Sequence, residues 1–134
     1  MIITRGCDYG IRIIRALGGG EKKTAEEICA AEHIPSQFAY KILRKLERAG
    51  FLKSSRGRDG GYLLIRSLDT FSVFDVVSAV DDNLHINACL KHDAVCSRNK
   101  ESAPCAVHRE LNRIQNAFIE ELKSKSILDI VTGT

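Results

Sequence analysis

The chain has 134 residues, 44% of them hydrophobic, and a formal net charge of +3. This length supports one compact domain with an extension, but not two cores of ordinary size. Charged residues interrupt the apolar N-terminal stretch and no apolar run could span a bilayer, so we expect a cytoplasmic protein with no membrane partner.

Two short helices are predicted first. Thr4 can cap a helix that ends near Leu17, where three consecutive glycines follow. Thr24 can cap the second helix, and Glu27 stands three residues later, as a capping box requires.

A third helix is predicted to begin at Ser36 as its cap and to end at Gly50. Its buried side is assigned to four apolar residues, Phe38, Ile42, Leu43 and Leu46. Two short helices joined by a tight turn and followed by an amphipathic helix are typical of a helix-turn-helix.

A two-stranded hairpin is predicted after the third helix. Residues 51–53 and 62–65 form its strands, and the glycine-rich segment 56–61 forms its turn. This hairpin is the wing of a winged helix-turn-helix, and the fold class is therefore mainly α.

The second half of the chain is predicted to contain two further helices. Ser72 and Asp75 form a capping box for the first of them, while residues 84–103 have no periodicity. Pro104 suits the first turn of a long final helix. Apolar residues recur along that helix at coiled-coil spacing, at Val107, Leu111, Ile114, Phe118 and Leu122. We expect this seam to form a homodimer.

These elements divide the chain into four predicted parts. Residues 1–66 form the DNA-binding domain, and residues 67–88 form a connecting helix. Residues 89–105 form a cysteine loop that acts as the sensor, and residues 104–134 form the dimerisation helix and tail.

Positive charge is confined to residues 36–66, which carry a net charge of +6 between a neutral N-terminal segment and an acidic C-terminal one. Such a footprint favours contacts with DNA phosphates. The predicted DNA-binding residues are Ser36, Gln37, Tyr40, Lys41, Arg44, Arg56, Gly57, Arg58, Gly60 and Gly61. Gln37 can read adenine, Lys41 and Arg44 can reach guanine or phosphate, and Tyr40 can contact a thymine methyl group or a phosphate.

Five cysteines are present, an odd number, and disulfides are unexpected in a reducing compartment. Cys89, Cys96 and Cys105 are clustered and predict metal or redox chemistry, whereas Cys7 and Cys29 are expected to be core residues. Zinc sites place their cysteines in closer pairs than these. An iron–sulfur cluster is therefore favoured over zinc, and a metal-free or zinc-bound thiol redox sensor is the next alternative.

Several segments resemble the iron–sulfur winged-helix transcriptional regulators of the IscR/NsrR type. They are Ile3-Thr4 with the stretch from Asp8 to Arg12, the turn-helix from Ile34 to Leu46, the Arg-Gly-x-x-Gly-Gly-Tyr-Leu-Leu wing at 56–64, the stretch from Val76 to Asp81, the three spaced cysteines followed by the long helix, and the Ile-Leu-Asp-Ile-Val segment at 127–131.

The resemblance implies a homodimeric regulator, and more specifically a repressor, that binds a near-palindromic operator in double-stranded DNA. It also implies an iron–sulfur cluster held by Cys89, Cys96 and Cys105, with 2Fe–2S favoured and 4Fe–4S as the alternative. The fourth ligand is either His108, which lies one helical turn after Cys105, or Asp8. The cluster would report iron–sulfur or iron status, oxygen or nitric oxide.

Two other classes of function remain as alternatives. A small thiol oxidoreductase is disfavoured because the chain lacks a Cys-x-x-Cys pair, and a metallohydrolase because it lacks a His-Glu-x-x-His motif; we expect no enzymatic activity. A protein-interaction adaptor is disfavoured by the basic segment 36–66.

Overall fold

The computed structural model describes residues 3–134, so the first two residues of the predicted segment 1–66 lie outside it. The first half of the chain contains three helices and a hairpin. The helices are α1 (Arg5–Leu17), α2 (Ala25–Glu32) and α3 (Ser36–Arg48), and the strands are β1 (Leu52–Ser55) and β2 (Gly61–Leu64).

The second half is helical apart from the cysteine loop. Helix α4 spans Val73–Val80, α5 spans Ala106–Lys123 and α6 spans Ile127–Thr132, with short 3-10 turns at Leu68–Thr70 and Ala88–Leu90. The predicted fold class, a mainly helical winged helix-turn-helix with a long C-terminal helix, is confirmed.

Side-chain caps begin α1 and α2 where the sequence predicts them. The Thr4 hydroxyl accepts a hydrogen bond from the Cys7 backbone N–H, and the Thr24 hydroxyl accepts one from the N–H of Glu27. Complete capping boxes are found at Ser72 and Asp75, which open α4, and at Ser126 and Asp129, which open α6. These caps satisfy backbone donors that have no partner inside the helix.

Two predicted helix starts are wrong. Pro35, not Ser36, is the N-cap of α3, because Pro35 has extended dihedrals while Ser36 is already helical. Pro104 is not in the first turn of α5. Cys105 is the extended N-cap residue, and its N–H donates to the side chain of Asn99, 2.8 Å away. Helix α5 therefore begins at Ala106, two residues after Pro104.

The buried core joins α1, α3 and α4 with residues from α2, the hairpin and α6. On α3 it includes Ile42, Leu43 and Leu46 as predicted, together with Ala39, but Phe38 is 45% exposed. Phe38 instead lies beside Tyr9 of α1, with the ring centroids 6.0 Å apart. The buried side of α3 therefore begins at Ala39, and not at Phe38 as predicted.

The C-terminal helix α6 closes the core. The Ile127 side chain is fully buried, and its backbone N–H donates to the Phe71 carbonyl oxygen at 2.9 Å. Ser72 and Ser126 form an isolated bridge at the same place. The chain therefore returns from the far end of α5 to the start of α4.

Strands β1 and β2 pair in an antiparallel register that places Leu52 opposite Leu64 and Ser55 opposite Gly61. The strands are displaced by one or two residues from the predicted positions 51–53 and 62–65. A second interaction fixes the hairpin against the rest of the domain. Lys23, just before α2, exchanges two backbone hydrogen bonds with Tyr62, at 3.0 and 2.7 Å.

Candidate functional site

The outer side of α3 is polar and open to solvent. All five residues predicted to read DNA from this helix are exposed, and we call them the reading face: Ser36, Gln37, Tyr40, Lys41 and Arg44. They lie opposite the buried residues that hold α3 in the core. A contact between this face and DNA would therefore leave the packing of the domain intact.

The wing places two arginines beside the reading face. Arg56 and Arg58 are exposed in the hairpin turn, and the turn closes with a hydrogen bond from the Gly60 N–H to the Gly57 carbonyl oxygen at 3.0 Å. Gly61 has a φ of +150°, and a Cβ atom there would lie 2.8 Å from the Lys23 carbonyl oxygen. The turn therefore needs glycine where it approaches the chain before α2.

A cleft separates the wing from α2 and α3. Its lining includes Tyr40 and Arg44 of the reading face and the wing residues Arg56, Gly57, Arg58, Gly60 and Gly61. The structure thus brings most of the predicted DNA-binding residues to one concave surface.

Two carboxylates that sequence reasoning missed also line this cleft, Glu26 of α2 and Glu47 of α3. Glu47 accepts hydrogen bonds from the Ser54 hydroxyl and N–H, which lower the pKa of its carboxyl. Glu26 accepts a hydrogen bond from the Tyr40 hydroxyl at 2.8 Å. Both carboxylates are therefore held by neighbouring donors.

The cysteine loop is irregular but internally hydrogen-bonded. The Cys96 carbonyl oxygen accepts from the Asn99 N–H at 3.1 Å, and the Asn99 side-chain oxygen accepts from the Cys105 N–H at 2.8 Å. The Cys89 Sγ accepts from the Asn87 amide at 3.4 Å. Asn99 therefore joins the backbone of two candidate ligands, a role that its sequence context did not reveal.

A buried glutamine fastens the segment before the loop to α5. The Gln115 side-chain oxygen accepts a hydrogen bond from the Ile86 N–H at 3.0 Å. The buried Nδ1 atoms of His85 and His108 have no hydrogen-bond partner within residues 3–134. An imidazole nitrogen without a partner can form a hydrogen bond or bind a metal.

The three loop cysteines are partly buried and carry free thiols. Three thiols with an unpartnered imidazole nitrogen form a donor set that iron accepts. However, over residues 3–134 no three His, Cys, Asp or Glu side chains come together in an arrangement that could hold a metal ion. The chemistry of the donors fits a cluster, whereas this arrangement of the loop does not close around one.

The other candidate ligand and the remaining cysteines lie elsewhere. Asp8 is on α1, where it forms an ion pair with Arg12 at 2.9 Å. Cys7 is fully buried, as predicted for a core residue. Cys29 is partly buried and packs against the core, and burial, with a smaller contribution from Glu26, raises the pKa of its thiol.

Within residues 3–134, the apolar seam predicted on α5 is only partly covered, because Leu111 and Leu122 are half-buried while its other members are exposed. Val107 is 65% exposed, Ile114 42% and Phe118 36%. Leu128, Ile130 and Val131 of α6 are exposed to a similar degree. Neither α5 nor any other helix between residues 3 and 134 is both long and apolar enough to cross a bilayer.

Comparison with known proteins identifies the family. The family model described as "Rrf2: Iron-dependent Transcriptional regulator" matches residues 3–133. The chain belongs to the Rrf2 family. A curated relative, protein aau3 of Rhizobium meliloti (strain 1021), is 31% identical to this Rrf2 protein over 133 residues, covering 98% of this chain and 85% of the relative.

Solved structures share the fold. CymR, described as the global cysteine regulator of B. subtilis, superimposes with a TM-score of 0.76 at 21% identity, covering 98% of this chain and 97% of CymR. IscR of T. potens gives a TM-score of 0.72 at 20% identity, covering 97% of this chain and 85% of IscR. The predicted resemblance to winged-helix regulators is confirmed, and this Rrf2 protein is a DNA-binding transcriptional regulator.

Proposed function

We propose that this Rrf2 protein binds a near-palindromic operator as a homodimer, and that the chemical state of its cysteine loop changes its operator affinity. One observation carries the proposal. Tyr40 and Arg44 of the reading face share one exposed cleft with the cationic wing, while Cys105, one of the loop's thiols, is itself the N-cap residue of α5. A change at the loop thus acts directly on the start of a long helix.

The reading face would enter the major groove and the wing would lie along the adjacent backbone. Gln37 is suited to the adenine edge, while Lys41 and Arg44 are suited to guanine or phosphate. The small residue Ser36 and the wing glycines at positions 57, 60 and 61 allow close approach. Arg56 and Arg58 then add phosphate contacts or enter a narrow minor groove.

A homodimer would cover the seam of α5. Exposed apolar side chains at helical spacing favour burial against a second copy of the same helix. A twofold dimer also presents two reading faces to two half-sites, which accounts for a near-palindromic operator.

The loop connects to the reading face through a series of contacts. Helix α5 packs against α4, and α4 packs against α3, where Lys45 donates a hydrogen bond to the Val80 carbonyl oxygen. A shift of α5 therefore has a direct route to the orientation of α3. Allosteric coupling of this kind is typically about 1–3 kcal/mol.

We favour an iron–sulfur cluster as the group that the loop holds, through Cys89, Cys96 and Cys105. When bound, it would supply a redox-active, labile group that orders the loop, and 2Fe–2S is favoured over 4Fe–4S. The unpartnered Nδ1 of His108 favours this residue as the fourth ligand. Asp8 is the weaker candidate because its ion pair with Arg12 would have to break.

Anaerobic purification tests the cluster. Iron and sulfide are counted, and visible absorption and Mössbauer spectra are recorded for the wild type, Cys96→Ser and the control Cys29→Ser. We expect a cluster in the wild type and the control and none in Cys96→Ser. Equal iron and sulfide in all three proteins would show that the loop does not hold it.

A metal-free thiol sensor is the second candidate. It is favoured by the free, partly exposed thiols of the loop and by the lack of a closed metal site over residues 3–134. The fold neighbour CymR is itself described as a cysteine regulator. Hydrogen peroxide would then oxidise two loop thiols to a disulfide and be reduced to two water molecules, so the intact mass of the protein would fall by two hydrogen atoms.

A further inference from the structure

The Tyr40 hydroxyl has a fixed partner inside the DNA-facing cleft. Tyr40 is 49% exposed on the reading face, yet its hydroxyl lies 2.8 Å from Oε1 of Glu26 on the neighbouring helix α2. Both residues line the cleft between the wing and α3. The side chain is thus held in one orientation while part of it faces solvent.

The direction of this hydrogen bond follows from the two protonation states. Hydrogen bonds from its own backbone N–H and from Tyr40 lower the pKa of the Glu26 carboxyl, so Glu26 is ionised at neutral pH and can only accept. The same hydrogen bond and the Glu26 charge raise the pKa of Tyr40. The phenol therefore keeps its proton and donates it to Glu26.

Because the Tyr40 hydroxyl donates its only proton to Glu26, its oxygen can only accept a hydrogen bond from DNA. In the major groove the hydrogen-bond donors are the amino groups of adenine N6 and cytosine N4, while guanine O6, thymine O4 and the phosphates are acceptors. The expectation that Tyr40 contacts a phosphate is therefore disfavoured, because two acceptors would face each other.

We propose that Tyr40 is a specificity-determining residue that selects a base with a major-groove amino group, adenine or cytosine, and that Glu26 is the positioning residue that enforces this choice. The inference rests on the proposed function, in which α3 enters the major groove of an operator. It assigns a role in DNA reading to an acidic residue outside the recognition helix.

Selection from a random duplex library by the full-length protein tests the inference. We expect the wild type to prefer adenine or cytosine at one position of each half-site by about fivefold, the value of one neutral hydrogen bond. Tyr40→Phe removes only the hydroxyl and should abolish this preference while retaining the others. Glu26→Gln supplies an amide that can both donate and accept, so it should admit guanine and thymine at the same position.

Glu27→Gln is the matched control, because it removes the same charge from the next residue of α2 and should select the wild-type sequence. If Tyr40→Phe keeps every base preference, Tyr40 does not read a base. If Glu26→Gln selects the same sequences as Glu27→Gln, Glu26 has no positioning role. A wild type that enriches no sequence would instead overturn the proposed operator binding itself.

Discussion

Replacing Lys41 with alanine should weaken binding to every DNA sequence and reduce the dependence of binding on salt. Lys41 is exposed on the reading face. The described part of the chain gives Lys41, Arg44, Arg56 and Arg58 no ion pair and no side-chain hydrogen bond. These four cations are therefore available to phosphates.

The size of the effect follows from counterion release. If every one of these cations neutralises one phosphate, a homodimer neutralises about eight, and the logarithm of affinity falls with the logarithm of salt at a slope of about −7. Affinity should then drop about 10⁴-fold between 50 and 200 mM salt. Lys41→Ala removes two phosphate contacts per dimer, so the slope of log affinity against log salt should be about −5. The fall in its affinity between 50 and 200 mM salt should then be about tenfold smaller than for the wild type.

Fluorescence anisotropy with an operator and a random duplex measures both slopes. Lys125→Ala, which removes an exposed charge between α5 and α6, is the control and should retain the wild-type slope. Gln37→Ala should keep the slope but relax base preference. An unchanged slope for Lys41→Ala, or a loss confined to one sequence, would refute the assignment of Lys41 to phosphate.

Three further predictions concern stability. Leu43→Ala, at a fully buried site, should lower the free energy of unfolding in urea by about 2–5 kcal/mol. Phe38→Ala should lower it less, because Phe38 is 45% exposed; equal losses would contradict this packing. Gly61→Ala should lower the melting temperature and weaken DNA binding, because its Cβ would lie 2.8 Å from a carbonyl oxygen, whereas Gly19→Ala has open space and should change neither. Ser126 caps α6, and its hydrogen bonds to the Asp129 carboxylate lower the pKa of Asp129. The stabilisation from this ionised carboxylate is therefore present above the unfolded pKa of about 4 and is lost as the pH falls through the folded value. The wild type should exceed Asp129→Asn in stability at pH 7 but not at strongly acid pH, and a gap that persists in acid would refute this.

Local signals predicted most of the fold. The caps at Thr4, Thr24 and Ser72 are short-range interactions that a sequence pattern encodes directly. The helix starts near Pro35 and Cys105 were missed because they depend on which backbone groups have partners elsewhere. At Cys105 that partner is Asn99, six residues away, and no helix-start pattern contains it.

The exposed, polar side of α3 could be predicted from charge and periodicity, because the apolar residues assigned to the core leave the polar ones on the opposite face. The sequence assigns Phe38 to the core because an aromatic residue at helical spacing is usually buried. In the structure Phe38 lies at the edge of the core, beside Tyr9. The contact between Tyr40 and Glu26 joins residues 14 positions apart on two helices. It depends on how α2 and α3 cross, which periodicity does not specify.

Operator affinity with the loop in two chemical states tests the central proposal most directly. Kd is measured anaerobically for the same preparation before and after removal of the loop-bound group, with Cys96→Ser as the baseline. We expect the two states to differ about 5- to 150-fold, with Cys96→Ser matching the stripped protein. The same Kd in all three samples would contradict the proposal that the cysteine loop regulates DNA binding.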